Sequence, residues 1–186
     1  MLFLAACDSQ QTSEEESSLD GLGTAGVEIT TPFSSSSTTE NGGTVSTKVR
    51  LKSAPLSPVT ITLNSSDTQE GTVSPTVLTF NKDNWDSYVS IIVTGVDDDI
   101  ADGSQSYEIQ IASVVSEDSK YSALNGQINP IKLQNEDDEI KAIVLGSLSG
   151  DTTEAGGNAT FSVKLASKPI EAVSIPIIST DTSEGT

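Results

Sequence analysis

Residues 38–51 read Thr38-Thr39-Glu40-Asn41-Gly42-Gly43-Thr44-Val45-Ser46-Thr47-Lys48-Val49-Arg50-Leu51. After the glycine pair, Val45, Thr47, Val49 and Leu51 fall on alternate positions with polar residues between them. A period of two places one set of side chains on one face of a strand, so this stretch reads as a half-buried β-strand. The stretch also has a counterpart. Residues 38–72 realign without a gap on residues 152–186, a displacement of 114 residues, and about half the aligned positions are identical. Glu40, Gly42, Gly43, Val49, Leu51, Pro55, Val59, Ile61, Asp67, Glu70 and Gly71 recur as Glu154, Gly156, Gly157, Val163, Leu165, Pro169, Val173, Ile175, Asp181, Glu184 and Gly185. That period is the size of a domain, too long for the units of a solenoid. The second copy reaches Thr186 part-way through the repeat, so the native protein is expected to continue with more copies.

Working outward, the same alternation marks seven short strands in the first copy: Val27 and Ile29; Val45 to Leu51; Val59, Ile61 and Leu63; Val77 to Phe80; Val89, Ile91 and Val93; Tyr107, Ile109 and Ile111; and Ile128, Ile131 and Leu133. Pro130 suggests an edge or bulge in the seventh. Trp85 reads as an apolar plug at one end. Seven short strands separated by turn signals predict an all-β, Ig-like, seven-stranded antiparallel β-sandwich over residues 27–139. Residues 140–186 are then the truncated beginning of a second one.

Composition narrows the function. Nine Lys and Arg against 27 Asp and Glu leave a net charge of −18, which argues against nucleic acid and anionic lipid as partners. The absence of histidine removes imidazole catalysis and imidazole metal ligation. The chain offers no nucleophile–base pair and no phosphate-binding glycine loop, so no catalytic residue is assigned. The single cysteine, Cys7, cannot close an internal disulfide. Its setting, Leu4-Ala5-Ala6-Cys7, resembles the end of a bacterial lipoprotein signal peptide, although only six residues precede the thiol. That resemblance implies a lipid on Cys7 and a place in the bacterial cell envelope, periplasmic or surface-exposed. Residues 1–7 are then a signal remnant. Residues 8–26, rich in Ser, Gln and Glu with almost nothing to bury, are expected to be a disordered tether.

The acids are sorted by the topology. If the strands run alternately up and down, the loops after the first, third and fifth strands share a pole with the end of the seventh. Those segments hold Glu40; Asp67 and Glu70; Asp97, Asp98, Asp99 and Asp102; and Glu136, Asp137, Asp138 and Glu139, eleven carboxylates in all. Two carboxylates about 4 Å apart repel by roughly 4 kcal/mol at an effective dielectric near 20. Solvent, protonation or a cation must relieve this. Ca²⁺, with six to eight oxygen ligands in flexible geometry, suits loops from several strands better than Mg²⁺ does, and zinc lacks its usual ligands. A solvated acidic surface without metal is the competing reading. An EF-hand is excluded: with Gly103 at the sixth loop position, the third is Ile100 and the twelfth Ile109.

The segments Thr39-Glu40-Asn41-Gly42-Gly43, Asp67-Thr68-Gln69-Glu70-Gly71-Thr72, Val93-Thr94-Gly95-Val96-Asp97-Asp98-Asp99-Ile100-Ala101-Asp102-Gly103 and Asn135-Glu136-Asp137-Asp138-Glu139 together resemble the Calx-β family. This is the module of sodium/calcium exchangers, integrin β4 and many bacterial surface proteins. The resemblance runs from about Val27 to Glu139, and partially from Ala142 to Thr186. It implies calcium ligation by Glu40, Glu70, Asp97, Asp98, Asp99, Asp102, Glu136, Asp137 and Asp138, with the main-chain carbonyl of Ile100 as an extra ligand. The chain departs from the family where Gly103, Ser104 and Gln105 replace further acids, which puts one calcium in doubt. The expected partners are calcium ions and neighbouring repeats, with the membrane reached only through the lipid. The expected role is a non-enzymatic module whose calcium stiffens the junction between repeats for adhesion or display. The alternatives are a metal-free spacer and an accessory module of a larger surface enzyme.

Overall fold

The computed structural model describes residues 23–30 and 36–185. Cys7 and all of the tether before Gly23 lie outside the described residues. Among the described residues of the first copy there are nine strands: β1 (Val27–Thr30), β2 (Ser37–Thr39), β3 (Thr44–Leu51), β4 (Val59–Ser65), β5 (Gly71–Ser74), β6 (Val77–Phe80), β7 (Val89–Gly95), β8 (Gln105–Val115) and β9 (Ile131–Glu136). They form two sheets, one in the order β1-β3-β7-β5 and the other β2-β9-β8-β4-β6. The sheets face each other across a common core, in which Val49, Leu51 and Ile91 of the first meet Val59, Ile61, Leu78, Phe80 and Val114 of the second. Each fully buried large aliphatic side chain contributes about 1.5–3 kcal/mol, and this interior is the main source of stability.

The chain is therefore all-β and sandwich-like, as the alternation predicts. The count of seven is corrected to nine, because β2 and β5 are edge strands of three and four residues, too short to display a period. The expectation of a wholly antiparallel sandwich is corrected too: β2 pairs in parallel with β9, Ser37 beside Gln134 and Thr39 beside Glu136. The chain leaves β1 in one sheet and enters the other alongside β9, running in the same direction. The seventh predicted strand begins at Ile131, while Ile128 packs on the core from the preceding loop.

In β8 the inward positions Tyr107, Ile109 and Ile111 would continue to Ser113. A register shift against β4 skips Ala112 and returns Val114 to the interior. A bulge of this kind restores the buried face without altering the sequence on either side of it.

The pole opposite the acids is closed by one helical turn, α1 (Ser119–Ser122). Asp118 caps it, accepting from Lys120 N at 3.0 Å, and its other oxygen accepts from Leu56 N at 2.9 Å. The Tyr121 hydroxyl donates to Ser53 O at 2.6 Å, pinning the turn to the loop after β3. Trp85 packs against the core at this same end, and its carbonyl accepts from Leu51 N at 2.9 Å. In the second copy, β10 (Ile143–Leu145) and β11 (Val163–Leu165) form a two-stranded antiparallel sheet. No helix among the described residues is long and apolar enough to cross a membrane.

Candidate metal centre at the acidic pole

A buried polar chain supports the pole from below. Asn135 follows Ile131 and Leu133 on the inward phase of β9 and is fully buried. Its amide donates to Val96 O at 2.8 Å and to Glu70 Oε2 at 3.4 Å, while its carbonyl oxygen accepts from Thr38 Oγ1 at 3.0 Å. The Thr38 hydroxyl also lies 2.8 Å from the Tyr107 hydroxyl. Every polar atom of this chain is therefore paired, which is the condition for burying it at tolerable cost. It ties β2, β8, β9 and the start of the Asp97–Gly103 loop together. Gly95 permits the close approach: a Cβ there would lie 2.3 Å from Thr39 O and 2.4 Å from Asn135 Oδ1.

Glu40 stands on top of this support. Its own N–H donates to Glu136 O at 3.0 Å, and the chain then turns back through Gly42, whose φ of 86° favours glycine. Thr39 completes the turn, its hydroxyl oxygen accepting from Gly43 N at 3.1 Å. The turn leaves Glu40 only 2% exposed. The parity of β9 continues past its end, so that Asn135, Asp137 and Glu139 lean inward while Glu136 and Asp138 are exposed. One carboxylate oxygen each from Glu40, Asp137 and Glu139 lies within 4.8 Å of the others. A second triad of Asp97, Asp138 and Glu139 meets the same criterion, so Glu139 is common to both.

Hydrogen bonding divides these acids into two kinds. Asp137 is satisfied: one oxygen accepts from Glu139 N at 2.8 Å and the other from Gly103 N. Those backbone N–H groups hold its carboxyl below the usual range. Glu40 and Glu139 are not satisfied, because the Oε2 atom of each is buried and accepts no hydrogen bond. Burial, reinforced by Glu139 and by the charges of Asp137 and Asp98, pushes Glu40 up to about 8. In Glu139 the link to Glu40 acts to lower the carboxyl, but burial and the neighbouring Asp137 and Asp138 outweigh it and the net shift is upward. Glu70 is raised by burial, against the lowering effect of the Asn135 amide, with Asp102, Asp67 and Asp98 adding repulsion.

The Asp97–Gly103 loop borders the site. Asp98 Oδ1 accepts from Ile100 N at 2.6 Å, and Ile100 O accepts from Asp102 N at 2.9 Å. Asp97 and Asp138 meet in the second triad, whereas the carboxylates of Asp98, Asp99 and Asp102 join neither. Glu136 points outward, with one oxygen accepting from Ser37 Oγ at 2.6 Å. Sequence reasoning did not assign Glu139 as a ligand or Asn135 as its support. The signal for both was the two-residue parity running on from Ile131 and Leu133.

The donor set is all oxygen, carries excess negative charge and contains two buried oxygens without a donor. These residues fit a hard cation that takes oxygen ligands. Glu40, Asp137 and Glu139 would form one such donor set and Asp97, Asp138 and Glu139 another.

No family model matches the chain, and no curated protein matches it in sequence. Among solved structures, the chain is similar to WR4, a C. elegans MSP family member, at 10% identity and a TM-score of 0.34, over 61% of this chain and 96% of that one. It is likewise similar to SSP-19, an MSP-domain protein like family member in Caenorhabditis elegans, at 10% identity and a TM-score of 0.32, over 54% and 90%.

Proposed function

We propose that residues 27–139 are a calcium-binding sandwich of the Calx-β type, serving as a non-enzymatic module of a lipid-anchored, tandem-repeat protein in the bacterial cell envelope. The observation that carries this reading is Glu40: a carboxylate 2% exposed, with an oxygen that accepts no hydrogen bond, set among further acids. A buried charge of this kind must either take up a proton or meet a cation. Calcium supplies the cation, neutralising Glu40 and Glu139 together.

The neighbourhood gives calcium a mechanical role. Lys168 N of the second copy donates to Asp99 O at 2.7 Å, so the loop that borders the site also holds the next repeat. Ordering that loop stiffens the junction, as a rod of tandem modules for adhesion or display requires. The anchor is Cys7, on the strength of Leu4-Ala5-Ala6-Cys7.

Titration of the chelated protein with CaCl₂ and with MgCl₂ at constant ionic strength, followed by calorimetry and thermal melting, tests the proposal. A ligand bound only by the folded state adds about 2.7 kcal/mol at a hundredfold excess over its Kd. For a domain of this size that raises Tm by about 5–15 °C. Equal responses to the two metals, with no saturable heat for calcium, would leave the metal-free spacer as the function. Fatty-acid labelling that persists in Cys7→Ser would refute the anchor.

A further inference from the structure

The sequence holds two Asn-Gly pairs, Asn41-Gly42 and Asn125-Gly126. Such a pair sets a side-chain amide beside a main-chain nitrogen that no Cβ shields. Gly42 and Gly126 both have positive φ, 86° and 73°. Apart from chain neighbours, no heavy atom lies within 4 Å of the place where a Cβ would stand on either. Both asparagines are exposed. They differ in what holds the side chain. Asn125 is tied to a strand: its Oδ1 accepts from Val114 N at 2.9 Å, next to the bulge in β8. Val114 is 3% exposed, so turning Asn125 away leaves a poorly hydrated N–H without this acceptor.

Asn41 is tied within its own turn. Its Oδ1 accepts from the Thr39 hydroxyl at 2.6 Å, a group that turns with the same short segment. Gly42 N donates to Thr39 O at 3.1 Å, and Gly43 N donates to the same oxygen at 3.1 Å. Freeing Gly42 N therefore leaves Thr39 O paired. The turn does not depend on asparagine. In the second copy Ala155 stands at this position. There Gly156 N donates to Thr153 O at 3.0 Å and Gly157 N to Thr153 Oγ1 at 3.0 Å, with Gly156 at a φ of 89°. The same turn thus forms with a methyl group in place of the amide. What Asn41 adds is reactivity.

We propose that Asn41 is a site of spontaneous covalent modification, deamidation through a cyclic imide, and that the fold selects it over Asn125. Gly42 N gives up its proton and attacks Asn41 Cγ. The Thr39 hydroxyl, donating to Oδ1, stabilises the charge that develops on that oxygen. The new N–Cγ bond forms, the Cγ–Nδ2 bond breaks, and the amide nitrogen leaves with the proton as ammonia. Water then opens the imide. Cleavage of the N–Cγ bond gives aspartate; cleavage of the original main-chain bond gives isoaspartate, with the chain running through Cβ and Cγ. The net change is one amide hydrolysed by one water, with no oxidation or reduction. Isoaspartate lengthens the main chain in the turn that buries Glu40, and aspartate adds a carboxylate next to it. The effect on cation binding rests on the calcium reading above; the modification itself does not.

The test is incubation of the whole chain for weeks in mildly alkaline buffer with chelator, followed by digestion and peptide mapping by mass spectrometry. The peptide holding Asn41 is expected to gain the mass difference between NH₂ and OH and to split into two separable isomers. It should convert about tenfold faster than the peptide holding Asn125, the factor set by one further hydrogen bond broken on the way to the imide. In concentrated urea both contacts are lost, and the two pairs are expected to convert alike. Asn41→Ala should fold as the parent does and lose the modification at this turn. Conversion in the folded chain that is no faster at Asn41 than at Asn125 overturns the proposal. So does a preference for Asn41 that persists unchanged in urea, because the fold would then select nothing. Calcium titration of fresh and aged protein separates the two readings. A calcium response present when fresh and weakened in step with conversion supports both. Conversion at Asn41 in a protein that never responds to calcium upholds the modification and refutes the calcium reading.

Discussion

Glu40 and Glu139 place their carboxylates in one cluster although the chain separates them by almost the whole first copy, and each buries an Oε2 atom that accepts no hydrogen bond. One sits in the turn after β2, the other beyond the end of β9. The parallel pairing of those two strands is what brings them together.

The first prediction concerns pH. The carboxyl of Glu40 is raised to about 8 from an unfolded value near 4.5, so the folded state binds more protons between those limits. Stability of the chelated protein should therefore fall as pH rises from about 4.5 through about 8, wherever the folded state binds the extra proton. Asp137, whose carboxyl is depressed, acts in the opposite sense below its ordinary value of 3.8. Urea titrations across pH 5–9 in chelator measure the slope, and saturating calcium should flatten it. A flat profile in chelator would show that Glu40 carries no such burden.

A second prediction separates two glutamates at the same pole. Glu40→Gln removes a buried charge, so the variant should be at least as stable as the parent in chelator at pH 8 and should lose most of its calcium response. Glu136→Gln alters a side chain that is exposed and bound by Ser37, so its calcium response should stay within about twofold of the parent. Calorimetric titration of both variants reads the difference. Equal losses would mean that the exposed acids bind the ion.

The support beneath the site gives the third. Asn135→Ala leaves Val96 O without its side-chain donor in a fully buried setting and removes one of the partners of Thr38 Oγ1, which keeps the Tyr107 hydroxyl. The expected cost is about 2–4 kcal/mol, from unsatisfied polar groups and the cavity together. Denaturant unfolding in chelator measures it. A cost below about 0.5 kcal/mol would show that the network is not structural.

The opposite pole supplies a control. Tyr121→Phe removes the bond to Ser53 O while keeping the ring, and about 1–2 kcal/mol should be lost. Calcium affinity should not change, because α1 lies at the far end of the sandwich. A shift in affinity larger than about threefold would reveal coupling along the strands.

Much of this arrangement was legible. The period of two located β3, β4, β7 and β8 because each has an inner and an outer face, and their alternation placed the acids at one end. The parity of β9 was also present in the sequence and runs through Asn135, Asp137 and Glu139, but a polar residue on an inward phase does not announce whether it will find partners. Asn135 is buried only because Thr38, Val96 and Glu70, distant in the chain, meet its donors and its acceptor. The strands β2 and β5 were invisible because three or four residues at an edge carry too little periodicity to be told from a loop.

The clearest division lies between the two copies. By itself the sequence determined the alternation, the repeat at 114 residues, the glycine turns and the Asp67 and Asp181 loops. All of these depend on residues within a few positions of one another, and they appear alike in both copies. Tertiary structure alone decided that Val59–Ser65 is a central strand while residues 173–179, with the same apolar pattern, form none. A strand's N–H and C=O groups and its buried face are completed by neighbours remote in the chain. For Val59–Ser65 those neighbours are β6 and β8, and Val59 and Ile61 are fully buried, whereas Val173 and Ile177 are exposed.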